Sequence, residues 1–365
     1  MKFKQIVSLI VSIIISVAAL ILAFRHVELD KLGQYLASVN YWWIVPSVIA
    51  VLASFLLRAL RWKIILTPAG KVGFFEAYHP LIIGFMINCI LPGRVGEAIR
   101  PLILKKKKGI PFTAGLASVA TERAFDIVML GIIMGYVFFT VNMDPDLNIV
   151  FGKYRLDREM LAAIVNGMVK LLILLVLGMI LICIEKVRAI IRILIMASPN
   201  LLFFAPSDFK YRIASRFCHP VANMVDNLAK GFSLLKEPSK IFVCLLLSTL
   251  IWILSAVSWY AMSKGCPGIG LNFLEVSAVM VIVCVFIALP SVPGYWGIWE
   301  AGGVFGMALF GIESQEAAGF TLANHAIQII PVVIAGIISA VVMGISIKDV
   351  SHDYETEKKQ NVSER

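Results

Sequence analysis

The sequence predicts an all-α polytopic membrane protein: about six full spans plus two opposed re-entrant hairpins, six to eight transmembrane segments, arranged as an inverted-topology repeat. Three observations carry that prediction. The 365 residues are 59% hydrophobic and only 15% charged, with a mean hydropathy of +0.88, whereas a soluble domain carries about 25% charged residues. Apolar runs long enough to cross ~30 Å of hydrocarbon recur along the chain. Two Pro-Gly motifs break two further apolar runs at corresponding places. The first observation excludes a water-soluble enzyme. The net charge of +10 does not point to nucleic acid, because the basic residues collect in loops between apolar runs, as membrane topology requires.

The first run, 6–24, follows Lys2 and Lys4. A cleaved signal peptide has an apolar core of about 7–15 residues and then a small-residue cleavage site. Here 19 uncharged residues lead into Phe24-Arg25-His26-Val27-Glu28, which offers no such site, so a retained span is expected. Further spans are expected at 41–62, 115–140, 161–184, 241–262 and 321–347. Lys2 and Lys4, the Arg58–Lys71 stretch, Lys105–Lys108, the 185–240 loop and the tail place 23 of the 33 basic residues on one side. Both termini are therefore expected in the cytoplasm. Arg58, Arg61 and Lys63, with Trp62 among them, read as side chains snorkelling from the cytoplasmic end of the second span. A port for lipid headgroups is the other reading. Lys105–Lys108 read first as a topology signal and second as an anionic-lipid patch.

Residues 74–104 leave the basic side and must return to it before Lys105. The return arm, Pro92–Leu104, is short and carries Arg94, Glu97 and Arg100, each costing ~2.5–3.5 kcal/mol at a lipid-exposed midplane. Such an arm is expected to be half of a re-entrant hairpin buried in protein. Residues 272–311 do the same from the opposite side, broken at Pro290-Ser-Val-Pro293-Gly294. "LPGRVGEA" (91–98) and "VPGYWGIWEA" (292–301) share Pro-Gly-x-x-Gly and a following Glu-Ala. That places repeat one at about 41–140 and repeat two at about 241–347, in a single transmembrane domain of residues 1–347. Opposed broken helices are where inverted-repeat transporters bind substrate. Within the cytoplasmic 185–240 loop, residues 207–236 suit either an amphipathic helix on an anionic leaflet or an ordinary connecting helix. The tail, 348–365, reads as disordered.

Intramembrane charges are functional candidates by default. Pro92 and Gly93 form the first hairpin tip, so the helix beginning near Arg94 is expected to aim its N-terminus, with Arg94, at a phosphate. The competing reading is that Glu97 caps that helix and pairs with Arg100. Glu300, near the tip formed by Pro293 and Gly294, stands where Glu97 stands; the two carboxylates either share a proton or each cap a hairpin. Glu122, Arg123 and Asp126 form a cluster that either orients Arg94 or Arg100 for substrate or is a purely structural ion-pair network. Asn324 and His325 fall at the equivalent place in repeat two, where His325 reads as a core histidine or a titrating group. The six cysteines show no C-x-x-C spacing and read as apolar fillers. No metalloprotease, nucleophile-elbow, Walker or dinucleotide motif is present. Neither metal nor cofactor is expected, nor ATP hydrolysis.

Together, "NCILPGRVGEAIRPLILKKKKGIPFTAGLASVATERAFDIV" and "ALPSVPGYWGIWEAG" resemble the flippase-like integral membrane family, also called the lysylphosphatidylglycerol synthase transmembrane region, over about residues 5–345. The resemblance rests on Asn88 before Leu-Pro, Arg94 and Glu97 after it, Glu122-Arg123 and Asp126, and Pro-x-x-Pro-Gly with Glu300. Tyr295-Trp296 departs from the family's second motif, where a glycine and a small apolar residue are common. The resemblance implies a lipid-translocating module in a prokaryotic cytoplasmic (inner) membrane, without the soluble transferase domain of the synthases. The expected activity is movement of a phosphate-bearing lipid, an aminoacyl-phospholipid or a polyprenyl-linked lipid, between leaflets rather than enzymatic conversion. Asn88, Arg94, Glu97, Arg100, Glu122, Arg123, Asp126 and Glu300 are the expected substrate-binding set. Expected partners are anionic membrane lipids, a second copy of the chain and a cytoplasmic lipid-modifying enzyme. A non-transporting scaffold for such an enzyme and an intramembrane enzyme acting through Glu97, Glu122 and Asp126 are the alternatives.

Overall fold

The computed structural model describes residues 3–25, 27–91, 94–140, 149–151, 154–156, 166–167, 170, 173–174, 176–178, 180–201, 206, 211, 213–288 and 293–345. Pro92, Gly93, much of the expected 161–184 span, parts of 207–236 and the tail lie outside the described residues. Twelve helices are labelled below. α1 (Phe3–Phe24) and the short α2 (Leu29–Ser38) precede the first repeat, formed by α3 (Ile44–Leu66), α4 (Phe74–Ile90), α5 (Gly96–Lys108) and α6 (Phe112–Thr140). α7 (Glu185–Ala197) and α8 (His219–Phe232) connect to the second repeat, formed by α9 (Pro238–Gly265), α10 (Phe273–Phe286), α11 (Ile298–Ala308) and α12 (Ser314–Met343). The all-helical expectation is modified only by a small antiparallel hairpin, Ile149–Phe151 with Tyr154–Leu156.

Segments 41–66, 238–265 and 314–343 are long and apolar enough to cross a bilayer. α6 matches them with 29 residues but carries Glu122, Arg123 and Asp126. Ile49, Phe242, Ile338 and Val341 lie exposed on the outer faces of α3, α9 and α12. Large exposed aliphatic surfaces of this kind suit lipid and not water.

The repeats are visible in the packing. α3 lies along α9, α4 packs on α12 as α10 packs on α6, and each short arm pairs with its own partner, α4 with α5 and α10 with α11. α5 then packs on α6 as α11 packs on α12. Exchanging the repeats returns the same set of neighbours. Ser47 Oγ donates to the Ser258 carbonyl at 2.8 Å, and Arg61 Nη1 donates to Ser248 Oγ at 2.7 Å. α3 and α9 therefore run antiparallel, as equivalent helices of an inverted repeat must.

Local devices recur with the same symmetry. Both first arms start with Glu at the third helical position: the Gly73 N–H donates to Glu76 Oε2 at 2.7 Å, and the Asn272 N–H to Glu275 Oε2 at 2.8 Å. These are capping contacts that satisfy otherwise orphaned backbone donors. Past the Pro-Gly pairs, Arg94 (φ 53°) and Tyr295 (φ 62°) both adopt the left-handed region, which costs a non-glycine residue about 1 kcal/mol or more. A Cβ on Gly96 would lie 1.8 Å from the Gly84 carbonyl oxygen, so α4 and α5 touch backbone to backbone. α1 covers the second hairpin, where a Cβ on Gly297 would meet the Ser16 carbonyl at 2.2 Å. α2 docks on the other end of that repeat: Tyr35 donates to the Pro267 carbonyl at 2.8 Å, and burial raises the phenol's pKa above its ordinary value.

α8 packs its Gly231 face on Ala114 and Ala117 of α6, and Phe232 joins Ala117, Ala124 and Cys183 in a small apolar cluster. α8 thus packs one side on α6 and leaves Val221 and Met224 exposed on another. All six cysteines are free thiols.

Candidate functional site

α6 supplies the centre of the polar site. Glu122 and Asp126 lie one helical turn apart and are buried, with 0% and 4% of their surfaces exposed. Buried carboxylates need paired charges to offset desolvation, and three helices provide them. From α5, Arg100 Nη1 donates to Glu122 Oε2 at 3.1 Å. From α3, Arg61 Nη2 donates to Asp126 Oδ1 at 2.8 Å and lies 3.7 Å from Glu122 Oε1. From α6 itself, Arg123 donates to Glu122 Oε1 at 2.7 Å and lies 3.3 Å from Asp126 Oδ2 and 3.9 Å from Glu97. Gly84 allows this assembly, because any side chain there would collide with the Arg100 stem at 2.4 Å.

Arg58 completes the site in a different manner. Its guanidinium stands 5.6–5.9 Å from the ring centres of Phe55, Phe85 and Trp252. Its one ionic partner among the described residues is Asp126 Oδ2, 3.9 Å away. The aromatic cage holds the cation without consuming its N–H donors. Four guanidinium groups thus face three carboxylates, counting Glu97. Arg61 Nε, Arg123 Nε and Asp126 Oδ2 are buried without a hydrogen-bond partner among the described residues. Orphaned polar atoms beside unspent donors are where a ligand oxygen or a water fits.

The snorkelling expectation for Arg58 and Arg61 is overturned. α3 continues past them through Lys63 to Leu66, so neither guanidinium sits at the helix end. Arg61 is completely buried beside Trp62. The phosphate seat expected at the N-terminus of α5 is also corrected. The Gly96 N–H donates to Asn88 Oδ1 at 2.8 Å, and the N–H groups of Glu97, Ala98 and Ile99 bond to the Arg94 and Val95 carbonyls. Asn88, rather than Glu97, caps that helix, and Arg100 pairs with Glu122 rather than with Glu97.

Arg94 leaves this cluster and reaches across the molecule, donating to the Ile287 carbonyl at the end of α10. Cys284 lies within electrostatic range of Arg58, Arg94 and Asp126, and Tyr295 within range of Arg94, Glu97 and Arg123. The site therefore opens onto the second hairpin, and Gly294 comes within 3.4 Å of the Cys89 carbonyl when given a Cβ.

The second repeat has its own buried polar centre, in the same register. Asn324, His325 and Gln328 are spaced along α12 as Glu122, Arg123 and Asp126 are along α6. Gln328 Nε2 donates to Ser258 Oγ of α9 at 2.9 Å, as Arg61 of α3 meets Asp126. Glu300 of α11 faces His325 at 2.6 Å, as Glu97 of α5 faces Arg123 at 3.9 Å. Glu300 also accepts the Gly297 N–H at 2.7 Å. It is fully buried, whereas the Glu97 side chain is 28% exposed beside Arg123. Glu97 and Glu300 thus meet corresponding residues, Arg123 and His325, but differ in burial and in distance from their hairpin glycines, with Glu300 two residues further along. Among the described residues no three His, Cys, Asp or Glu side chains gather as a metal-ion set.

Comparison with known proteins agrees with this architecture. Over 139 residues the chain is 26% identical to a protein named glycosyltransferase AglD from Haloferax volcanii, a match covering 37% of this chain and 22% of that protein. The matched stretch thus spans about a fifth of the relative's length. No solved structure matches the chain. The model of the lysylphosphatidylglycerol synthase TM region matches residues 9–336, nearly the whole chain, and with the paired helices and buried polar centres above this protein belongs to that family.

Proposed function

We propose that the protein moves a lipid with an anionic phosphate headgroup between the leaflets of a prokaryotic cytoplasmic membrane, without making or breaking a bond in it. The observation that carries the reading is the excess of guanidinium over carboxylate beside the aromatic cage, with Arg58 holding N–H donors that no described residue uses. An incoming phosphate supplies the missing negative charge and accepts those donors in a fork-like, charge-assisted geometry. Arg123 flanks it, while Arg94, on the arm that Asn88 fixes, ties the first hairpin to the Ile287 carbonyl of the second. Catalysis by Glu122 is disfavoured, since both of its oxygens are already committed to guanidinium groups.

The four short arms fit this role. They contain 17, 13, 14 and 11 residues, or about 17–26 Å at 1.5 Å per residue, too short to cross ~30 Å singly. As opposed re-entrant hairpins meeting at their tips, they form a barrier that can open to either face. Lys105–Lys108 and the chain termini lie on the cytoplasmic side in this reading.

The test is leaflet exchange in liposomes containing the purified chain. Labelled phosphatidylglycerol is expected to exchange, and labelled diacylglycerol, which lacks phosphate, to show no protein-dependent exchange. Equal acceleration of both lipids would show that the guanidinium site does not select the cargo.

A further inference from the structure

The buried centre of the second repeat is not used by the phosphate site. We propose that Glu300 and His325 form a proton-binding site that latches the second hairpin tip and couples lipid movement to a proton gradient. The inference rests on the translocation reading and deepens it by naming the coupling ion.

The hydrogen-bond geometry fixes the number of protons. His325 Nε2 lies 2.8 Å from the Gly294 carbonyl, which can only accept, so Nε2 carries a hydrogen. His325 Nδ1 lies 2.6 Å from Glu300 Oε1. A contact that short requires one proton between the two atoms, on the carboxyl or on the ring. The other Glu300 oxygen accepts the Gly297 N–H at 2.7 Å. In the loaded state the pair therefore grips the tip at two points, the Gly294 carbonyl and the Gly297 N–H.

Among the described residues neither side chain has a further ionic partner. Arg94 stands at the tip on the Ile287 carbonyl, and the helices packed on α12 bring Glu76 and His79 (α4), Arg58, Arg61 and Lys63 (α3) and Asp30, Lys31 and Tyr35 (α2). α11 itself carries only Glu300, and between its ends α1 has no ionisable residue from Gln5 to Phe24. α10 offers only Glu275 in its first turn and the thiol Cys284, while α12 adds only Glu316 in its first turn. α9 carries cations only near its ends, Lys240 and Lys264, and the tip adds the phenol of Tyr295. Asn324 and Gln328, neutral amides, adjoin on α12. The imidazole lies between two indoles, stacked on Trp299 with ring centres 4.5 Å apart and tilted against Trp296 at 4.6 Å. Trp259 backs Trp299 at 5.6 Å. Glu300 and His325 are both completely buried, and Trp296, 46% exposed, stands between the ring and the surface.

Loss of the proton to water leaves a carboxylate facing an imidazole lone pair. Shifting the remaining hydrogen from Nε2 to Nδ1 restores the bond to Glu300 but sets the Nε2 lone pair against the Gly294 carbonyl. In either tautomer one contact of the pair is lost, and the tip is released where it abuts the Cys89 carbonyl and where Arg94 holds Ile287. Uptake of a proton from the opposite face restores the latch. One proton is bound and one released per cycle, with no other reactant.

The experiment uses the full chain in liposomes with labelled phosphatidylglycerol and an imposed proton gradient of either sign. The expected result is net lipid movement that reverses with the gradient and loses that dependence in His325→Gln and Glu300→Gln. Both glutamines keep hydrogen-bonding shape but cannot exchange the proton, and size-exclusion profiles confirm folding. Gradient-driven movement by folded His325→Gln equal to wild type, or wild-type movement indifferent to the gradient, overturns the inference while leaving translocation intact. If wild type moves no phosphatidylglycerol, translocation fails instead, and the site is judged by nitrogen-15 NMR of labelled histidine in detergent. One ring resonance, absent from His325→Gln, should then titrate with a single proton in wild type and change its midpoint in Glu300→Gln. A resonance that stays fixed from about pH 5 to 9, the range in which an imidazole changes charge, overturns the proton site.

Discussion

Where the first repeat joins Arg61 to Asp126 and Arg100 to Glu122, the second joins Ser258 to Gln328 and Glu300 to His325. The same helices meet in both, α3 with α6 and α9 with α12, then α5 with α6 and α11 with α12. Neutral amides, one hydroxyl and one proton-sharing pair suffice to hold the second copy of this arrangement. The guanidinium cluster of the first copy is therefore not required by the fold. Buried ion pairs seldom stabilise a protein more than apolar replacements of similar volume. In the proposed reading this difference corresponds to separate tasks, an anion site in the first repeat and a proton site in the second.

The sharpest way to break that comparison is to remove equivalent side chains from each repeat. Arg61→Ala removes the guanidinium that hydrogen-bonds Asp126 Oδ1 and breaks a buried ion pair, and should destabilise the protein by up to ~3–5 kcal/mol. Ser258→Ala deletes a neutral hydrogen bond and should cost only ~0.5–1.5 kcal/mol. Thermal unfolding in detergent measures both, and equal losses would erase the proposed asymmetry. Gly96→Ala comes next, because its new methyl group would overlap the Gly84 carbonyl. Overpacking of this kind costs ~1–3 kcal/mol, read in the same assay.

Arg58 isolates function from stability. Arg58→Ala is expected to reduce phosphatidylglycerol exchange at least tenfold, about 1.4 kcal/mol, with a smaller loss of stability than Arg61→Ala. Arg58→Lys retains the charge without the planar fork and should recover only part of the exchange. The smallest effect concerns a device that the repeats share. Glu76→Gln and Glu275→Gln weaken equivalent helix starts, and each should cost roughly 1 kcal/mol or less. A large difference between them would show that one arm depends on its cap and the other does not.

Much of this architecture can be read from the sequence. Pro92-Gly93-Arg94 and Pro293-Gly294-Tyr295 mark the tips, and the lysine run after Leu104 marks the return of the first hairpin. Glu122, Arg123 and Asp126 stand out as charges in an apolar run. Arg58 and Arg61 read as interfacial, because the apolar run ends at Trp62 and suggests a helix end, whereas α3 extends to Leu66. A helix continuing for another turn converts two expected interfacial cations into buried ones. The capping signals Phe74-Phe75-Glu76 and Phe273-Leu274-Glu275 were available in the sequence as a second repeat marker. Glu97 and Glu300 look equivalent by motif and meet corresponding residues, Arg123 and His325, but only Glu300 is fully buried. Which acid meets which arginine is a property of helix rotation, and spacing alone does not set it.

The most direct test of the central claim is the exchange rate of labelled phosphatidylglycerol in liposomes containing wild-type, Arg58→Ala or Ser258→Ala protein at matched amounts of folded material. The account predicts rapid exchange for wild type and Ser258→Ala, and at least a tenfold loss for Arg58→Ala. Unchanged exchange in folded Arg58→Ala would contradict the assignment of the anion site to the first repeat.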